Sequence, residues 1–198
     1  SSSVELMVGL GEVLILSRTS WRFSRTNCTA ASSSHSPGMI SLTKEQIHDA
    51  LPKVKKGLDQ YLWIQGEVMK KDVSKDTEFQ KKFNYFYKIT PHRNKEWQKE
   101  FYSLLQKSKK DTATFENTLS KLFNKTGKVE SSFASKLVAT IDPKMPVIDS
   151  IVLKNLKLKL PYSYDKEREI KILKIYQTLV KEFSLFLKTE NGKYLAEQ

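Results

Sequence analysis

The residues best placed for chemistry are a short basic turn, Lys125-Thr126-Gly127-Lys128, and a single acid further along, Asp149. The turn offers two ammonium groups, a hydroxyl and a glycine free to take positive φ, a set able to hold a phosphate. Asp149 stands at the entrance to an amphipathic tract. A carboxylate fixed close to a bound phosphodiester is suited to stabilising positive charge or activating water. The same residues also have an ordinary reading. Asp is among the best helix N-caps, and a basic turn between helices is commonly just solvated. Both readings stand on the residues alone.

Helical spacing must position these groups. Thr43 and Gln46 have the form of a capping box, so a helix starts near Lys44. Its apolar face runs through Ile47, Ala50, Leu51, Val54, Leu58, Leu62 and Val68, with a break or kink expected at Pro52 and a loosened end at Gly66. Asp76 and Thr77 open a second helix with Phe79, Phe83 and Phe86. Thr90-Pro91 reads as a stop and restart, and a third helix carries Trp97, Phe101, Leu104 and Leu105. Lys107–Asp111 is a polar break. A fourth helix with Phe115, Leu119, Leu122 and Phe123 ends in the basic turn, and a fifth carries Phe133, Leu137, Val138 and Ile141. Asp142-Pro143 and Pro146 form a bend. The sixth helix begins at Asp149 and stops before Pro161, and the last starts at Asp165 and ends at Asn191-Gly192. No β alternation and no glycine-rich phosphate loop interrupt this pattern. The expected fold is all-α, a compact multi-helix domain of about seven helices.

Composition divides the chain near Met39. Residues 1–38 hold no Lys and three Arg, whereas residues 39–198 hold 29 Lys and two Arg, Arg93 and Arg168. Met39 reads as the natural start, with residues 1–38 a non-native or disordered leader and 39–198 a single all-α domain. Leu6–Leu16 is too short for a membrane span and lacks the basic flank of a secretory signal. Ser17–Arg25 faintly resembles a transit peptide, but Glu5 and Glu12 count against it. The body lacks Cys, which excludes disulfides, Cys-ligated zinc and iron–sulfur clusters from it and makes the cytoplasm its natural compartment. Its 31 basic and 20 acidic residues leave +11. That excess favours polyanions through counterion release, although Lys-rich usage also follows from genome composition, and Arg, the better reader of base edges, is scarce.

The remaining candidates are few. Arg93, beside His92 in the loop between the aromatic helices, has a planar fork suited to a phosphate or carboxylate. The aromatic run Phe79, Phe83, Tyr85, Phe86, Tyr87, Trp97, Phe101 and Tyr102 reads as core, with Tyr85, Tyr87 and Tyr102 the members most able to reach a cleft. His48 and His92 are too isolated for a metal site, and no cofactor or metal is expected. Glu96 and Glu100 read as solvent-face partners of Lys99 and its neighbours.

The tract from Lys125 to Leu160 resembles the centre of the helix-hairpin-helix DNA glycosylase superfamily. Lys125-Thr126-Gly127-Lys128 stands where that family has its phosphate-gripping hairpin, and Phe133-Ala134-Ser135-Lys136-Leu137-Val138 where it has the second hairpin helix. Pro146-Val147-Ile148-Asp149-Ser150-Ile151-Val152 gives its order of proline, aliphatics, Asp and amphipathic helix. The resemblance spans about 36 residues. The chain departs from the family in having one hairpin glycine rather than two, no cluster-binding cysteines, and Ser131 and Ser132 near the place of a lyase lysine. The resemblance implies a DNA partner held by Lys125, Thr126, Gly127, Lys128, Lys136 and Arg93. It also implies monofunctional base excision, with Asp149 as the catalytic carboxylate acting on an extruded nucleotide. Two other readings remain: a noncatalytic relative that binds nucleic acid or protein, and a helical protein that binds a partner protein. No membrane association is expected.

Overall fold

The first helix begins at the capping box that the sequence predicts. In the computed structural model, which describes residues 42–89, 93–111 and 113–196, Thr43 N–H donates to Gln46 Oε1 at 2.9 Å and Gln46 N–H to Thr43 Oγ1 at 3.3 Å. The leader before Met39, the Thr90-Pro91 break and His92 lie outside the described residues, as do the side chains of Val54 and Ile151. The described residues are helical, with no strand among them: α1 (Lys44–Val68), α2 (Thr77–Phe86), α3 (Lys95–Ser108), α4 (Phe115–Thr126), α5 (Ser131–Ile141), α6 (Ser150–Asn155), α7 (Arg168–Lys188) and α8 (Glu190–Ala196). No helix among them is long and apolar enough to cross a membrane.

Four boundaries differ from the sequence expectation, each for a local reason. Pro52 sits inside an unbroken α1, whose buried Ile47 and Ala50 before it and Tyr61, Ile64 and Val68 after it outweigh the hydrogen bond that proline removes. The third helix opens at Asn94, whose side chain accepts the Trp97 N–H at 2.8 Å. The long helix α7 opens at Arg168 rather than Asp165. Asp165 instead accepts the Glu167 N–H at 2.9 Å and pairs with Lys171 at 2.8 Å. Asn191-Gly192 lies inside α8, which follows Thr189. A Cβ on Gly192 would sit 2.1 Å from the Phe186 carbonyl oxygen, so glycine there permits close backbone packing instead of ending a helix.

The chain forms two compact units, residues 59–147 and residues 42–58 with 148–196, with α1 contributing to both. In the first of these, α3 packs against α4 and α5, and α4 against α5. Its core holds Phe79, Phe83, Phe101, Leu105, Leu119, Leu122 and Leu137, all fully buried. Phe83 meets Tyr87, Phe101 and Tyr102 at ring distances of 4.6–5.8 Å. Most of the aromatic run is therefore core, as its spacing predicts, and two of the three tyrosines most able to reach a cleft are part of it. Tyr87 is buried, and Tyr102 is buried with its hydroxyl 2.6 Å from Asn84 Oδ1. Burial pushes the Tyr102 phenol well above its ordinary pKa, which removes it as an acid or base near neutrality. Tyr85 is the exposed member. In the other unit, α7 packs against α8, with Ile172, Tyr176, Leu179, Phe183, Phe186 and Leu195 buried.

Candidate functional site at the α4–α5 turn

The turn between α4 and α5 is built by a left-handed glycine. Gly127 has φ 68°, and its N–H donates to the Phe123 carbonyl at 2.8 Å, closing the end of α4. The sequence assigns this glycine correctly as a positive-φ residue. Its amide, however, is engaged within the helix cap and is not directed at an external phosphate. The Thr126 hydroxyl donates to the Leu122 carbonyl at 2.8 Å, and the Lys128 N–H lies 3.3 Å from the same hydroxyl oxygen. What the turn projects outward is the pair of side chains Lys125 and Lys128, both exposed.

Those residues line a cleft of about 590 Å³ together with Arg93, Asn94, Glu96, Trp97, Glu100 and Glu130. Sequence reasoning placed Arg93 and the 125–128 turn in one function, and the fold brings them to one concavity. It also brings three carboxylates. Glu100 pairs with Lys125, and that contact holds the Glu100 carboxyl below its usual range. Glu130 takes Arg93 in a two-point pair, with Oε1 2.8 Å from Nη1 and Oε2 2.9 Å from Nη2. The guanidinium also lies 4.9 Å from the ring centres of both Trp97 and Phe133. Arg93 is thus clamped between a buried acid and two rings. A phosphate reaching it must first displace Glu130. With three cations facing three carboxylates, the cleft is electrically balanced.

Lys136, expected as a phosphate contact, is buried rather than presented at the surface. It lies on α5 and is only 8% exposed, with its ammonium 4.9 Å from the Phe133 ring centre and 5.9 Å from that of Tyr87. The helix turns it inward because it shares a face with the buried residues of α5.

Asp149 directly precedes α6. It is half-buried, and its carbonyl accepts the Leu153 N–H at 2.9 Å, as the residue heading a helix does. Val147 and Ile148 before it and Val152 and Leu153 after it are buried. The bend upstream is tied by Asp142, whose carboxylate accepts the Lys144 N–H at 3.1 Å.

Sequence reasoning missed Glu130 and Trp97 as cleft residues. The available signal was weak: Glu130 stands where an N-cap of α5 belongs, yet it makes no side-chain cap bond because its carboxylate is committed to Arg93. Trp97 Nε1 is buried without a hydrogen-bond partner, whereas Glu130 Oε1 is held by its ion pair with Arg93. Among the described residues, no cluster of three or more His, Cys, Asp or Glu has metal-binding geometry. No protein-family model, curated protein or solved structure matches this chain.

Proposed function

We propose that this chain is a DNA-binding, glycosylase-like protein that holds the sugar-phosphate backbone at the α4–α5 turn. In this reading, Asp149 serves as the carboxylate for monofunctional base excision. The observation that carries the proposal is the convergence of Lys125, Thr126, Lys128 and Arg93 on one cleft. The +11 charge of residues 39–198 and the order of residues from Pro146 to Val152 support it. Lys128 is the primary contact because it is exposed, while Lys125 exchanges Glu100 for phosphate on binding. The excision step needs only a carboxylate beside an extruded nucleotide, which stabilises developing positive charge on the sugar or takes a proton from water.

Duplex binding at low salt tests the turn. Lys125→Glu with Lys128→Glu weakens affinity by about tenfold or more and flattens its salt dependence, with the circular dichroism spectrum unchanged. Glu100→Gln strengthens binding, because it frees Lys125. Unchanged affinity in the double charge reversal removes the turn from the function. Asp149→Asn abolishes base release from damaged duplexes and spares binding and stability, since Asn also caps helices. Excision that survives this change refutes the catalytic role.

The balance of charge in the cleft favours a second reading, a noncatalytic surface for a partner protein. Three carboxylates among three cations match a mixed-charge peptide surface better than a uniform polyanion. Binding of a protein partner that survives reversal of Lys125 and Lys128 supports that alternative.

A further inference from the structure

The loop between α6 and α7 exposes two aromatic rings in a basic setting. Tyr162 and Tyr164 are 58% and 79% exposed, and their rings lie parallel, 4° apart in plane with centres 5.3 Å from each other. Residues two apart in an extended chain project to the same side. Here a turn closed from Asp165 to Tyr162 braces that placement. The Asp165 N–H donates to the Tyr162 carbonyl at 3.2 Å, the Arg168 guanidinium donates to the Pro161 carbonyl, and Asp165 holds Lys171. The two rings are thus presented by a braced loop rather than by a free strand.

Cations share this loop with the pair, alongside the acids Asp165 and Glu167. Lys157, Lys159 and Lys166 are exposed, and the Lys159 ammonium lies 5.4 Å from the centre of the Tyr162 ring. Lys157 itself takes φ 55°, a left-handed conformation that a side chain normally avoids. It closes α6 through two bonds, from its own N–H to the Lys154 carbonyl at 3.1 Å and from the Leu158 N–H to the Leu153 carbonyl at 2.8 Å.

We propose that the Tyr162–Tyr164 pair is a stacking platform for unpaired bases of single-stranded DNA, with Lys157, Lys159 and Lys166 holding the adjoining phosphates. Parallel, solvent-facing rings extend readily by one more planar ring, and every base has a face to offer. The occupant is a nucleic-acid strand rather than a protein because the lysines supply charge that complements a polyanion. The strand is single because bases within a duplex already stack on one another. The platform deepens the nucleic-acid reading above and rests on it for the class of ligand.

Fluorescence anisotropy of the full chain tests the platform with a short oligothymidylate, an abasic deoxyribose-phosphate oligomer of equal length, and a duplex. The wild type binds oligothymidylate more tightly than the abasic oligomer. Tyr162→Ala with Tyr164→Ala weakens the oligothymidylate complex by about tenfold and leaves the abasic complex within twofold. Tyr162→Phe with Tyr164→Phe retains wild-type affinity, since the rings remain. Equal affinity of the wild type for the base-containing and abasic oligomers overturns the proposal. So does an alanine variant that binds oligothymidylate normally, or one whose loss is as large on duplex as on single strand. Because Lys125 and Lys128 are probed on duplex alone, failure of the turn and failure of the platform register separately.

Discussion

The α4–α5 turn and the loop from Lys157 to Arg168 are both basic and both follow a left-handed helix end, yet they dispose of their charge and rings differently. At the first, glycine provides the left-handed residue, Glu100 and Glu130 hold Lys125 and Arg93, and Trp97 is buried beneath the guanidinium. At the second, Lys157 takes the strained conformation, and Lys157, Lys159, Tyr162 and Tyr164 face solvent. A run of basic residues therefore does not show by itself how much charge is available to a ligand. Internal carboxylates decide that, and they come from other helices: Glu100 from α3, and Glu130 from the residue before α5.

The contrast predicts that the Arg93–Glu130 pair holds the fold and that the loop's rings do not. Arg93→Ala should have the largest effect. It leaves the buried Glu130 carboxylate without its partner and destabilises the fold by about 3 kcal/mol in chemical denaturation. Adding Glu130→Ala should recover part of that loss, and simple additivity would show that the pair does not couple.

The two helix ends should respond in opposite directions. Gly127→Ala forces a side chain into φ 68° and destabilises by about 1 kcal/mol. Lys157→Gly relieves φ 55° and stabilises by up to about 1 kcal/mol, less the entropy that glycine adds to the unfolded chain. Lys88 has φ 53° at the end of α2, where the Ile89 N–H reaches the Asn84 carbonyl at 2.9 Å, so Lys88→Gly should behave likewise. If both lysine substitutions destabilise, the left-handed conformations are not strained.

Tyr162→Ala with Tyr164→Ala should leave the thermal midpoint almost unchanged, within about 0.5 kcal/mol, because exposed rings contribute little to folding. A large loss would make the pair part of the fold.

The smallest expected effect concerns pH. Hydrogen bonding to Lys125 lowers the Glu100 pKa, and hydrogen bonding to Lys171, then to the Glu167 N–H, lowers that of Asp165. A carboxyl whose folded pKa lies below its unfolded value contributes stability that is fully present above the unfolded pKa, near 4. That contribution is lost as pH falls through the folded value. Thermal midpoints should thus be flat from neutrality to about pH 5 and decline below it. Lys125→Met and Lys171→Met should each flatten that decline slightly, and an unchanged profile would show that these exposed pairs carry no linkage.

Local rules made much of this protein legible in its sequence. Thr43 with Gln46, Asp76, and Gly127 after α4 mark helix ends through bonds between near neighbours, and these appear as the residues predict. The 3.6-residue spacing of Phe79, Phe83, Phe101, Leu119 and Leu137 fixed the helical class and the core faces. Other features depended on residues distant in the chain. Arg93 meets Glu130 thirty-seven positions away, and Lys125 meets Glu100 twenty-five away. No sequence period encodes such pairings, because they arise when helices pack and bring charges together in a medium that screens them less than water does. Tertiary structure likewise turned Lys136 inward and drew Gly192 against the Phe186 carbonyl. Composition supplied the positive charge, but its availability to a ligand at the α4–α5 turn was decided by the fold, through the carboxylates it placed beside Arg93 and Lys125.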